Sequence, residues 1–295
     1  MSNREKPFGK NSYPFAVGRI KAVEGSLLDR SKWNRLLDGD VEQAMQALRE
    51  FGYGADAQEH SLDGLIRQEL RKAALLIAEV TPDQELTDLF LLPTDGHNLK
   101  VLLKSRLLSE ESDSLLQEGG SIPIDWLKAC VEHEDFSLLG PVLEQQLSGI
   151  FSVGDPRLLS AAVDNAVYTK IWSVLETKNN SLLRRYFTAR AAYINLLSRM
   201  RAERLGWDEQ AVVPMLIPIK FQTVDQPEAG STVMNTQSRM NRKLMEIVRE
   251  EKNDSFGIGP IVCYLLDKQA EARNLRVLFA AKRSGRPISE ADLDL

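Results

Sequence analysis

A phrase that runs from Asp95 to Arg106 returns from Glu271 to Lys282. Each copy reads as an acid, an Asn (Asn98 or Asn274), a Leu (Leu99 or Leu275), a base, a Val, a Leu (Leu102 or Leu278), an apolar residue and a closing base. Agreement at so many ordered positions in two distant segments marks an internal repeat. A repeat restricts a chain to building its core from copies of one supersecondary unit. Within the phrase, Leu99, Leu102, Leu103 and Leu107 keep the i, i+3, i+4 spacing of a helix stripe turned toward a core. The phrase therefore reads as packing before it reads as a site.

Two weaker copies follow once the strong ones set the register. From Arg190 to Arg201 the apolar positions and the closing base recur, with Tyr193 at the Asn98 position and Arg201 at the Arg106 position. From Tyr13 to Lys21, Tyr13 falls where Asn98 stands and Lys21 where Arg106 stands. Helix signals surround them. Ser61 precedes a run with helical spacing, Thr81-Pro82-Asp83-Gln84 and Asp155-Pro156 are helix starts, and long runs close at Gly206 and at Ser284-Gly285. Strand signals are nearly missing. Val212–Lys220 is apolar, but its two prolines would remove ladder donors, so it reads as a short helix and a connection. Linkers are expected at Gln117–Pro123 and Gln222–Thr232. The fold class is all-α, a single unit whose lobes run approximately 13–106, 107–201 and 202–295. Each lobe follows a phrase with an amphipathic segment bearing Trp33, Trp126 or Leu293.

A net charge of −5, with no dense basic block, argues against nucleic acid, which needs clustered cations to displace counterions from phosphates. Cys130 and Cys263 both sit among apolar helical residues, as buried reduced thiols of a cytoplasmic protein would. The first residues form no apolar leader, and no stretch approaches the roughly 18 to 20 apolar residues of a membrane span. Contact with a membrane system is expected to run through a protein partner.

Motifs for chemistry are sparse. The histidines are His60, His97 and His133. Around His133 the run Glu132-His133-Glu134-Asp135 places neighbours about 100° apart on a helix, so they diverge from any one ion. His97 stands beside Asp95 as an acid-assisted base would, but no nucleophile accompanies it and its counterparts are Arg273 and Ala192. Gly257 and Gly259 open a helix without the strand and third glycine of a dinucleotide site. Phosphate-loop, nucleophile-elbow and paired-cysteine motifs are missing. The expectation is no catalytic, cofactor or metal residue. The closing bases Lys21, Arg106, Arg201 and Lys282 read first as cations that favour the helix macrodipole and satisfy terminal carbonyls, and are also candidates for contact with acidic partners.

Three stretches carry a family likeness: Tyr13…Ala16-x-x-Arg19-Ile-Lys21-Ala22-x-Glu24-x-x-Leu27-Leu28, Asp95-x-x-Asn98-Leu99-Lys100, and Gly259-Pro260…Tyr264-Leu265…Glu271-x-x-Asn274-Leu275-Arg276. In this order, over nearly the whole chain, they resemble the C subunit of archaeal and bacterial A/V-type ATPases, the counterpart of the d subunit of eukaryotic V-ATPases. The chain departs from that pattern where a Thr is expected shortly before Tyr53 and where the third phrase lacks an acid and an Asn. The resemblance implies a funnel-shaped subunit of three similar helical lobes on the cytoplasmic face of the membrane. It would bind the proteolipid ring and receive the central-shaft subunits in its socket, coupling ATP hydrolysis or synthesis to proton or sodium transport without catalysis of its own. The alternative from the residues alone is a helical protein-binding scaffold unrelated to the ATPase.

Overall fold

The computed structural model describes residues 12–54, 61–111, 113–222 and 227–293. Among them there is no strand. In chain order the helices are α1 (Tyr13–Val23), α2 (Arg30–Asp38), α3 (Val41–Glu50), α4 (Leu62–Val80), α5 (Gln84–Asp88), α6 (Leu92–Leu108), α7 (Ile124–His133), α8 (Pro141–Leu147), α9 (Pro156–Lys178), α10 (Ser181–Arg204), α11 (Glu209–Val212), α12 (Val233–Arg249) and α13 (Gly259–Arg283). The all-α expectation holds.

The starts and stops follow local chemistry. Ser61 Oγ accepts from Gly64 N–H at 3.1 Å, Asp155 Oδ1 from Arg157 N–H at 2.8 Å and Asn180 Oδ1 from Leu183 N–H at 2.9 Å, each satisfying an amide that the first helical turn leaves free. Past the ends of α10 and α13, Gly206 and Gly285 take φ values of 68° and 65°, which cost a residue without Cβ little. The start at Thr81–Gln84 yields only the short α5, after which the chain turns into α6. Val212–Lys220 divides between the end of α11, a 3-10 turn at Val213–Met215 and irregular chain.

The contacts sort the chain into two compact units, Met1–Gln84 with Val248–Leu295, and Glu85–Ile247. In the first, α1, α3 and α4 pack on α13. Its core joins Trp33, Leu36 and Leu48 to Leu65, Leu275, Leu278 and Phe279, so residues from both ends of the sequence share one interior. In the second, α6 packs on α7 and α9, and α8 on α9. There Leu99, Leu102 and Leu103 of the phrase meet Leu127, Leu143, Leu159 and Val163, the stripe that the leucine spacing implied. Gly96 brings α6 and α9 close, since a Cβ there would lie 2.9 Å from Val167 Cγ2. Both cysteines are buried and free, and burial pushes the Cys263 thiol up to about 11.

Ser109 ends α6 at φ 55°, the place that Gly285 takes after α13. A side chain pays a steric cost there that glycine avoids. Ser109→Gly is expected to stabilise the chain by about 0.5–1 kcal/mol, read as a higher urea midpoint at unchanged slope.

Candidate functional site

The acid, the Asn and the closing base of the phrase all reach for backbone. On α6, Asp95 is 1% exposed and accepts from Ser121 N–H at 3.0 Å, Ser121 Oγ at 2.6 Å and Ile122 N–H at 3.1 Å. One turn on, Asn98 forms a closed pair with a single residue: its Nδ2 donates to the Gln117 carbonyl at 2.8 Å and its Oδ1 accepts the Gln117 N–H at 2.8 Å. The expected linker Gln117–Pro123 is thus held by buried side chains. Gly120 is what lets Asp95 come so near, because a Cβ at that position would fall 2.0 Å from Asp95 Oδ1. Arg106 then donates to the carbonyls of Val131 and Glu132 near the end of α7, pairs with Glu134, and lies 4.9 Å over the Phe151 ring.

The contacts of the acid and of the base recur on α13. Glu271 accepts from Leu28 N–H, from Tyr53 Oη–H at 2.9 Å and from Lys268 Nζ at 3.1 Å. Lys282 Nζ donates to the Leu37 carbonyl at 2.8 Å and to that of Gly39. Ile122 stands two residues before α7, and Leu28 two residues before α2. In each copy, therefore, the acid anchors the entry of a second helix and the base caps its exit. The spacing follows from helix geometry: the rise from acid to base is about 16 Å, and the anchored helices, 10 and 9 residues long, span about 14–15 Å. The segment paired with α13 is the one containing Trp33, from the other end of the sequence.

The third copy is read differently in space than in sequence. Asn195, two residues after Tyr193, makes the closed pair: its Nδ2 donates to the Ile217 carbonyl at 2.9 Å and its Oδ1 accepts the Ile217 N–H at 2.8 Å. Placing Asn195 at the Asn98 position would put exposed Arg199 at the Leu102 position, so α10 shares the closed amide pair without the apolar register of the phrase. In that register Glu203, not Arg201, stands at the Arg106 position. Arg201 is exposed on α10, and its neighbour Arg199 pairs with Glu209. Lys21, at the end of α1, pairs with Glu24 at 3.0 Å. Of the candidate bases, then, Arg106 and Lys282 hold helix ends, while Lys21 and Arg201 lie toward solvent.

Two participants had no part in the sequence reading of the phrase. Lys268, 3% exposed, lies 3.1 Å from Glu271, 3.8 Å from Glu69 and 5.5 Å over the Tyr53 ring, so the charge buried with it is matched on three sides. Burial and the Glu271 charge raise the Tyr53 hydroxyl far above its usual range, keeping it a donor. The available signal was the placement of Lys268 one turn before the acid, directly after the apolar run Ile261–Leu266 and Asp267. His97 Nε2 donates to the Leu115 carbonyl at 3.1 Å, and His133 is exposed at the end of α7. His60 lies outside the described residues. Among the described residues no group of three or more His, Cys, Asp or Glu could hold a metal ion, and no helix is long and apolar enough to cross a membrane.

The model of the ATP synthase (C/AC39) subunit family matches residues 16–226 of the chain. The chain belongs to that family. It is similar over most of its length to the C subunit of the A-type ATP synthase of Methanosarcina barkeri, at 21% identity with 95% of this chain and 92% of the relative covered. Likewise it is similar to the A-type C subunit of Methanosphaera stadtmanae, at 23% with 94% and 86% covered. The C subunit of the V-type ATP synthase of Thermus thermophilus matches at 20%, with 96% and 98% covered. The family likeness drawn from the three stretches is therefore correct.

Removing the closed amide pair should cost more than an exposed bond would. Asn98→Ala leaves the Gln117 amide and carbonyl unsatisfied and is expected to destabilise the chain by about 2 kcal/mol in urea unfolding. Asp95 adds a pH signature. Burial pushes its carboxyl up to about 6, against the opposing pull of its hydrogen bonds. Since an unfolded Asp titrates near about 3.9, the folded chain holds the extra proton between roughly pH 4 and 6. Stability contributed by this group therefore falls as pH rises through that window, by on the order of 2 kcal/mol. Asp95→Asn has no such proton to release. The stability of the wild type relative to Asp95→Asn should decline from pH 4 to 6, and a flat difference would contradict the assignment.

Proposed function

We propose that this chain is the non-catalytic central-stalk rotor subunit of an A/V-type ATPase. It links the central-shaft subunits to the membrane proteolipid ring and so couples ATP hydrolysis or synthesis to proton or sodium transport. The observation that carries this reading is family membership, with likeness to named C subunits at both ends of the chain. Three similar helical lobes forming a funnel, on the cytoplasmic face of the membrane, belong to the same proposal. The closed amide pairs of Asn98 and Asn195 and the carboxylate anchors of Asp95 and Glu271 support it.

An adaptor that transmits torque needs stiffness, and densely packed helices tied by buried polar anchors resist deformation. Lys21 and Arg201 are proposed to meet acidic partner surfaces. Arg106 and Lys282 would serve the same contacts only by holding α7 and α2 in place. The test is recovery of partners by the tagged full-length chain from solubilised ATPase. Both the shaft subunits and the proteolipid ring should be recovered together, and recovery of neither would overturn the proposal. The double substitution Lys21→Glu/Arg201→Glu should weaken that recovery about fivefold while leaving the thermal midpoint in place, as expected for exposed charges at an interface rim.

A further inference from the structure

The two closed amide pairs share a lead-in. A 3-10 turn at Asp113–Leu115 passes to Leu116, whose N–H donates to the Asp113 carbonyl at 3.3 Å, and the next residue is Gln117, the partner of Asn98. A 3-10 turn at Val213–Met215 passes to Leu216, whose N–H donates to the Val213 carbonyl at 3.2 Å, and the next residue is Ile217, the partner of Asn195. In extended chain the N–H and C=O of one residue point to the same side, so a single carboxamide can take both.

The lead-in recurs after α13. The 3-10 turn Glu290–Asp292 passes to Leu293, whose N–H donates to the Glu290 carbonyl at 3.2 Å. Leu293 is extended, at φ −107° and ψ 147°, as Leu216 is at φ −83° and ψ 141°. It is 7% exposed and shares the core of Trp33 and Leu275. The residue that follows is Asp294, outside the described residues. Buried Asn274, at the phrase position of Asn98, lines one pocket of about 730 Å³ with Leu293, Leu28, Trp33 and Glu271. The spacing agrees: 19 and 22 residues separate the Asn from its partner in the two closed pairs, and 20 separate Asn274 from Asp294.

On α6 one stretch serves both polar anchors, since Gln117 meets Asn98 and Ile122 meets Asp95. On α13 the Ile122 contact is supplied by Leu28, from the other end of the sequence, so the Gln117 contact calls for a second stretch. Arg30 and Arg249 also line the pocket, which suits an acidic side chain. We propose that the chain following Leu293 seats in this pocket as a strap, with the Asn274 carboxamide closing on the N–H and C=O of Asp294. The strap fixes the segment after α13 over Trp33 and the entry of α2. The inference stands independently of the rotor reading, because it concerns contacts within one unit and not the assembly that the chain joins.

The test uses the full-length chain and reads amide exchange by NMR. In the wild type the Asp294 N–H should exchange at least about 100-fold more slowly than in an unstructured peptide. Asn274→Ala should abolish that protection while the Leu28 amide, held by Glu271, stays protected. Asp294→Pro removes the N–H without disturbing Leu293, whose extended backbone is the one that a residue before proline takes. It should lower the urea midpoint as Asn274→Ala does, and the double variant should fall no further than either one. Asp294→Ala, which keeps the N–H, should lower the midpoint less. An Asp294 amide that exchanges at the peptide rate in the wild type, protection that survives Asn274→Ala, or additive losses in the double variant would overturn the proposal. So would protection seen only at concentrations where the chain self-associates, since the occupant would then be a second copy.

Discussion

The structure depends on a side chain of one long helix bonding to the backbone that leads into another. Asp95 and Asn98 on α6 and Glu271 on α13 do this from buried positions, and the part-buried Asn195 on α10 ties the chain at Ile217 by the same kind of bond. A buried carboxylate or amide left without partners would cost several times what a surface bond contributes, so the arrangement is stable only when every bond is made. That asymmetry turns loops into fixed parts. Gln117, Ser121 and Ile122 lie in irregular chain, yet their amides are satisfied as fully as those within a helix. The apolar stripe drives burial, and the polar anchors choose which of many packings is adopted.

The closing bases complete the same device. Helix ends expose carbonyls that nothing within the helix can satisfy, and Arg106 and Lys282 supply donors to the ends of α7 and α2. A chain that ties its short helices at both ends presents surfaces in a defined geometry. For a member of the ATP synthase (C/AC39) subunit family, that is the property a mechanical linker would use. It also separates the basic residues by position: Arg106 and Lys282 hold helix ends, and Lys21 and Arg201 lie toward solvent.

Much of this was legible before any coordinates. Helix class, the caps at Ser61 and Asp155, the terminating glycines and the leucine stripe follow from local rules that act within a few residues. The family emerged from three stretches of which the phrase is part. What the sequence hid is tertiary. Nothing local says that Glu271 reaches Leu28 and Tyr53 across most of the chain, so Lys268 and Tyr53 went unassigned. On α10 the closed pair with Ile217 is made by Asn195, two residues past the Tyr193 that the apolar matches set at the Asn98 position, a contact that no local pattern announces. Trp33 and Trp126, alike in sequence context, parted in environment: the first is 3% exposed and the second 52%.

Native-state amide hydrogen exchange tests the central claim most directly, since it reports whether loop amides open locally or only with the core around them. If the side-chain anchors hold the segments before α2 and α7, the amides of Leu28, Gln117 and Ile122 will exchange as slowly as core amides of α13 and α6. In Asn98→Ala, protection at Gln117 will collapse while that at Leu28 persists. Rapid exchange of these amides in the wild type, at the rate of an exposed loop, would contradict the account.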